Sequence, residues 1–292
     1  MDDTHGISAG GISATVKADG AELCSLRAPD GLELLWQAGP AWPRHAPWLF
    51  PIVGRLANDD LRHGGNSYKL TQHGFARDLR FQWLERTARS CTLRLTDSAA
   101  TRLRYPFGFR LDITYAIDET CLDMTIGIAN TGEETLPASF GAHPAFNWPL
   151  LPGLPKESYS LIFAEPEPAA IRRLSGGLMR TEAEPSPVQG TVLPLNERLF
   201  EADAVILDAP ASHSLRYAGP SGPSLELAWS GFRELGIWSK PSGAPFLCIE
   251  PWRGFASPAG FDGAFCDKPG VMLIAPGETE TLSLCIKVNA AL

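Results

Sequence analysis

The chain of 292 residues carries 25 Lys+Arg against 33 Asp+Glu, a formal net charge of −8. That balance lacks the positive field that a broad nucleic-acid or anionic-membrane surface needs, so neither partner is expected. With 44% hydrophobic and 20% charged residues the composition suits a globular core rather than a disordered chain, and the length admits one large β domain or two smaller ones.

The first six residues, Met1 to Gly6, lack the basic and then apolar regions of a secretory signal. No apolar run reaches membrane-spanning length. Six cysteines (Cys24, Cys91, Cys121, Cys248, Cys266 and Cys285) lie far apart without a CxxC pair, and they read as reduced thiols of a cytoplasmic protein.

Further along, the dominant period is two, the signature of half-buried strands. Thr92–Thr96 shows a short version, and Asp97 to Arg104 is a rare stretch of helical pattern. Phe109 to Ile117 places a large apolar residue at every second position, and Leu122 to Ile128 resumes the pattern after the turn-like Asp118-Glu119-Thr120, so the two predict a hairpin. The Pro- and Gly-rich stretch from Pro149 to Gly190 predicts a long loop excursion holding one strand, Tyr159 to Ala164. Ser224–Ala228, the apolar run Phe246 to Ile249 and Leu282 to Val288 complete the set. Many short strands, 28 Gly and 25 Pro predict an all-β sandwich or barrel, read as a single domain over 1–292.

Three segments set ionisable residues among aromatic, Gly and Pro residues. One is Pro51 to Asn58 with Arg55, followed by Leu70 to Arg77 with His73, Gly74 and Arg77. Another is Gly141 to Pro149 with His143. The last is Pro245 to Gly254 with Glu250. Glu250 ends an apolar run, where lost solvation raises a carboxyl pKa toward the range of a general base. Pro251 is expected to stop that strand. The plainer reading is a strand-end Glu paired with Arg253. His143, fixed in direction by Pro144, offers the side chain suited to proton transfer near pH 7, against the plainer reading of a loop histidine. Gly74 beside His73 suggests a tight turn or close backbone approach. Arg55 and Arg77 suit a carboxylate or a sugar hydroxyl, and Trp148, Trp238 and Trp252, in or near these segments, offer rings on which a sugar face stacks, against the plainer reading of tryptophans that fill core volume. The six histidines show no HxH or HExxH spacing, so no metal is expected, and no cofactor motif is present. Cys248 shares a strand face with Glu250 and reads as packing.

Taken in order, GRxxN, HGFAR, GAHPAFNWP, IWSKP and FLCIEPWxG resemble the aldose 1-epimerase (galactose mutarotase) superfamily, most of all its LacX-like branch, over about Gly11 to Val288. The resemblance implies a large antiparallel β-sandwich of the galactose mutarotase-like supersandwich type with a sugar in an open cleft. It implies Glu250 as the base at the C1 hydroxyl and His143 as the acid at the ring oxygen, the two on opposite sides of the sugar and a pyranose apart. It also implies that His73 orients the sugar, that Arg55 helps to hold it and that Asp203 binds a hydroxyl. Opening the C1–O5 bond needs one proton removed and one delivered, so no cofactor is required.

The expected function is therefore anomer exchange on a small-molecule pyranose. One alternative is a hexose 6-phosphate substrate, for which Arg55, Arg77, Arg80, Lys240 and Arg253 are the cationic candidates. Another is a non-catalytic carbohydrate-binding module of the same fold, and a weaker one is a glycosidase, which wants two carboxylates. The oligomeric state is left open.

Overall fold

Period-two sequences build strands here because alternate side chains find an apolar interior on one side only. In the computed structural model, which describes residues 3–241 and 243–290 (Met1 and Asp2 of the leader reading lie outside them), Phe109–Asp118 and Cys121–Asn130 form the expected hairpin, Met124 opposite Tyr115 and Ile126 opposite Ile113. They lie within an antiparallel sheet of nine strands. Its order runs Val192–Pro194, Ser160–Phe163, Ser214–Ala218, Ser224–Ser230, Thr279–Asn289, Cys121–Asn130, Phe109–Asp118, Ser90–Thr96, Gln82–Arg86. The expected helix is a single turn, Ala99–Arg102, capped reciprocally by Ser98 and Thr101.

A second sheet packs on the first. It runs Val205–Leu207, Glu234–Trp238, Phe246–Arg253, Phe140–Ala142, Trp48–Leu49, with Ala145–Asn147 also paired to Phe246–Arg253. Leu111, Ile113 and Tyr115 of the nine-stranded sheet share one buried cluster with Leu235, Ile237, Leu247 and Ile249 of the second. Trp48 fixes the layers together by donating its indole N–H to the Tyr115 hydroxyl at 2.7 Å and to the Ala21 carbonyl at 3.1 Å. The architecture is an all-β, large antiparallel sandwich.

Two expectations need correction. The strand beginning at Phe246 runs through Pro251 to Arg253. Ile249 sends its N–H to the Pro144 carbonyl, so by alternation the Pro251 nitrogen faces the same side, beside the break between two short partner strands where no ladder bond is lost. The cysteines are not all free: antiparallel pairing brings Cys121 and Cys285, 164 residues apart, to a Cα separation of 6.5 Å, where they are joined. Cys24, Cys91, Cys248 and Cys266 are free thiols.

The Phe246–Arg253 strand is the element that makes a site possible. Leu247 and Ile249 face the main core, while Phe246, Cys248, Glu250 and Trp252 face the other way, into two small clusters with Trp42, Trp238 and Met179. Trp252 needs room on that face, and its neighbours supply it with glycine. A Cβ on Gly236 would meet the Trp252 ring at 2.4 Å, and one on Gly141 at 2.8 Å. Gly236→Ala is accordingly expected to destabilise the fold by about 1–3 kcal/mol, the ordinary cost of overpacking. The check is a lowered denaturant midpoint at unchanged slope.

Candidate active site

His143 and Glu250 face each other because of strand register. Gly141 pairs with Trp252 on one side and Ala145 with Cys248 on the other, both in the same antiparallel alignment. His143 thus falls opposite Glu250, at the break between Phe140–Ala142 and Ala145–Asn147, where the two side chains project to one face. Its Nε2 stands 3.2 Å from Glu250 Oε2. Both residues are buried, His143 at 7% and Glu250 at 1% exposure. The expected gap of one pyranose is therefore replaced by direct contact.

A cleft of about 560 Å³ opens onto this pair. Its walls include Trp42, His73, Arg77, Glu201, Asp203, Trp238 and Trp252. His73 stands at the end of a turn with φ 67°. Two reciprocal bonds to Gly54 hold it there: its N–H donates to the Gly54 carbonyl at 2.8 Å, and its Nδ1 accepts the Gly54 N–H at 3.1 Å. The acceptor role of Nδ1 puts the ring proton on Nε2. Gly74, at φ 70°, admits the close approach its sequence suggested, since a Cβ would meet the Phe50 carbonyl oxygen at 2.2 Å. Arg77 donates to the Gln72 carbonyl at 2.8 Å, and its buried Nε makes no hydrogen bond, with the Asp78 carboxylate 3.9 Å away. Asp203 sits on the opposite wall, also at positive φ. Buried Arg173 pins its loop by donating to the carbonyls of Leu199 and Asp203.

Arg55 does not join this group. Asp59 binds its guanidinium in a bidentate pair at 2.7 and 2.9 Å, outside the cleft. Trp148 is likewise elsewhere, buried and donating to the Lys156 carbonyl. Two residues passed over in the sequence belong to the site. Trp42 stacks on the His143 ring with centroids 4.9 Å apart, and Glu201 lies beside Asp203 on the wall. Trp238 meets the same imidazole edge-on at 6.0 Å.

Electrostatics follow from burial. Burial pushes the Glu250 carboxyl well above the usual carboxylate range, opposed by the Trp252 indole and helped by Asp203. Burial, with the positive charge of Arg77 and Arg44, holds the His143 imidazole down to about 3. Both shifts favour the neutral pair, which carries one proton, on Glu250.

The pH dependence of stability follows. Between about 4.5 and 6.5, the ordinary values of the two groups, the unfolded pair also holds one proton, on histidine. Folding then neither takes up nor releases a proton, and the contribution is flat. Above 6.5 the unfolded pair holds none, so stability falls as pH rises. Below 4.5 it holds two, so stability falls as pH drops toward 3. Glu250→Gln removes one of the two cancelling slopes. Across 4.5 to 6.5 the parent is expected to lose its advantage over the variant as pH rises, measured as the difference in unfolding free energy.

The model of the aldose 1-epimerase family matches residues 3–257, and the chain belongs to that family. Protein LacX of Lactococcus lactis subsp. lactis is 32% identical over 288 residues, covering 95% of this chain and 96% of the relative. A galactose mutarotase related enzyme from Lactobacillus acidophilus superposes with a TM-score of 0.93 at 31% identity, covering 99% of this chain and 98% of the other. A galactose mutarotase-like protein from Lactobacillus casei gives 0.91 at 30% identity, with 98% and 100% covered.

Proposed function

We propose that the protein is an aldose 1-epimerase-type isomerase that exchanges the α and β anomers of an unphosphorylated pyranose, acting as one domain from end to end. The observation that carries this reading is the buried His143–Glu250 contact at the floor of a sugar-sized cleft. The core running from Ile7 to Val288 supports a single domain.

In the proposed reaction the shared proton crosses the 3.2 Å contact as the sugar binds, giving a Glu250 carboxylate and a His143 imidazolium. Glu250 takes the proton of the C1 hydroxyl while His143 delivers its proton to the ring oxygen. The C1–O5 bond breaks to the open aldehyde. Rotation about C1–C2 and return of both protons closes the ring on either face, and the pair regains its starting state. Stacking of Trp42 favours the imidazolium by attraction of its charge to the ring face. His73 Nε2–H, Arg77 and Asp203 hold the hydroxyls, and Trp238 offers an apolar edge.

Charge placement favours a neutral sugar. Among the described residues, Arg77 is the one cationic side chain on the cleft wall, which also carries Glu201 and Asp203. The other phosphate candidates lie elsewhere. Arg55 is held by Asp59, Arg80 by Asp3 and Asp19, and Lys240 by the Ala41 carbonyl. Arg253 is also off the wall. The test is NMR exchange spectroscopy on glucose, galactose and their 6-phosphates. Faster exchange of a free sugar is the expected result. No acceleration with any aldose, despite binding, would assign the fold to a carbohydrate-binding module instead.

A further inference from the structure

Cys248 has no part in that reaction, yet it stands on the same face of the strand as Glu250. The donor atoms of His143, Cys248 and Glu250 all lie within 4.8 Å of one another. All three residues are buried, and Glu250 Oε2 has no polar contact besides His143 Nε2 at 3.2 Å. From this we propose that the three side chains form a binding site for a thiophilic divalent cation of the zinc type, one that occupies the floor of the cleft and blocks the sugar.

An imidazole nitrogen, a thiolate and a carboxylate are the donor types that zinc takes in tetrahedral sites, at bonds of about 2.0–2.3 Å. One ion spans the three donors after small side-chain rotations. Its fourth position faces the cleft, where water enters. Soft sulfur among the donors selects zinc or cobalt over magnesium or calcium, which prefer oxygen alone. Burial and the neighbouring carboxyl push the Cys248 thiol well up, and a cation between the two reverses that effect by deprotonating the sulfur it binds. A search for ligand spacing along the chain misses this set. His143 comes from across the strand pair, and Cys248 and Glu250 are two residues apart on one strand face.

The inhibitory consequence rests on the proposed mutarotase reading, but binding of the ion does not, and the experiment separates them. The probe is Co²⁺ added to the reduced, metal-free full chain under anaerobic conditions. Cys121→Ser/Cys285→Ser is used as background, because Cys121, Asp123 and Cys285 form a second cluster of donors. The expected result is a thiolate-to-cobalt charge-transfer band in the near ultraviolet that saturates at one equivalent and is lost in Cys248→Ser. Loss of a direct ligand is expected to weaken binding by more than the roughly 10–100-fold caused by losing an outer-shell partner. No such band, or a band unchanged by Cys248→Ser, overturns the site. In parallel, Zn²⁺ is expected to inhibit anomer exchange by the parent. Cys248→Ser should keep the parent's basal rate and need at least about tenfold more Zn²⁺ for the same inhibition. Equal inhibition of both would overturn the blocking role even if the cobalt band is present.

Discussion

Glu250→Gln is expected to slow anomer exchange by about 10²–10⁴-fold, or about 3–5 kcal/mol of barrier, while sugar affinity stays near that of the parent. The replacement keeps the shape of a side chain that is 1% exposed and removes only its capacity to take up and release a proton. The amide leaves the neighbouring indole and imidazole in place, so packing around Trp252 and Trp42 is preserved. Exchange rates from NMR, binding from the fluorescence of Trp42 and Trp238, and the denaturant midpoint measure the three quantities separately. A variant that binds, folds and turns over like the parent would remove Glu250 from the chemistry. One that loses binding in step with rate would make it a substrate anchor instead.

Much of this was legible in the sequence, and what was hidden has physical causes. Glu250 stands out because a carboxylate closing an apolar run must lose solvation, and the structure buries it. The hairpin at Phe109–Asp118 and Cys121–Asn130 was readable because period two over ten residues has no competing interpretation. Register was not readable. Nothing local tells which residue of a distant strand will face position 250, so the direct contact with His143 could not be seen and a wider gap was expected in its place.

The far wall was hidden for a different reason. Leu174 and Gly177 come from a hairpin of two-residue strands, Leu174–Ser175 and Leu178–Met179, and Glu201 from a loop pinned by Arg173, of which the family resemblance reached only Asp203. Elements that short show no period, and the Pro149 to Gly190 stretch read as an excursion. Trp42 lies in a run of Gly, Pro and aromatic residues with no alternation to place it. Arg55 misled because its neighbourhood looked right, while Asp59, four residues on, is a competing bidentate acceptor that captures it.

His143→Asn should reduce exchange by an amount comparable to Glu250→Gln, and the double variant is expected to be no more than about tenfold slower than the slower single. The two side chains touch at 3.2 Å, and in the proposed reaction a single proton passes between them. Each step of the reaction uses the pair to take one proton and give another, so removing either partner already stops both transfers. A second removal then has little left to take away, and the double-variant cycle should show a large coupling energy. Two groups working independently on opposite sides of the sugar would instead multiply their losses, to roughly 10⁴–10⁸-fold overall. Exchange rates of the parent, the two singles and the double, measured at one pH between 4.5 and 6.5 where the pair's contribution to stability is flat, distinguish these outcomes. A multiplicative result would show that the contact at the floor of the cleft is not a proton relay, and the mechanism built on it would fall.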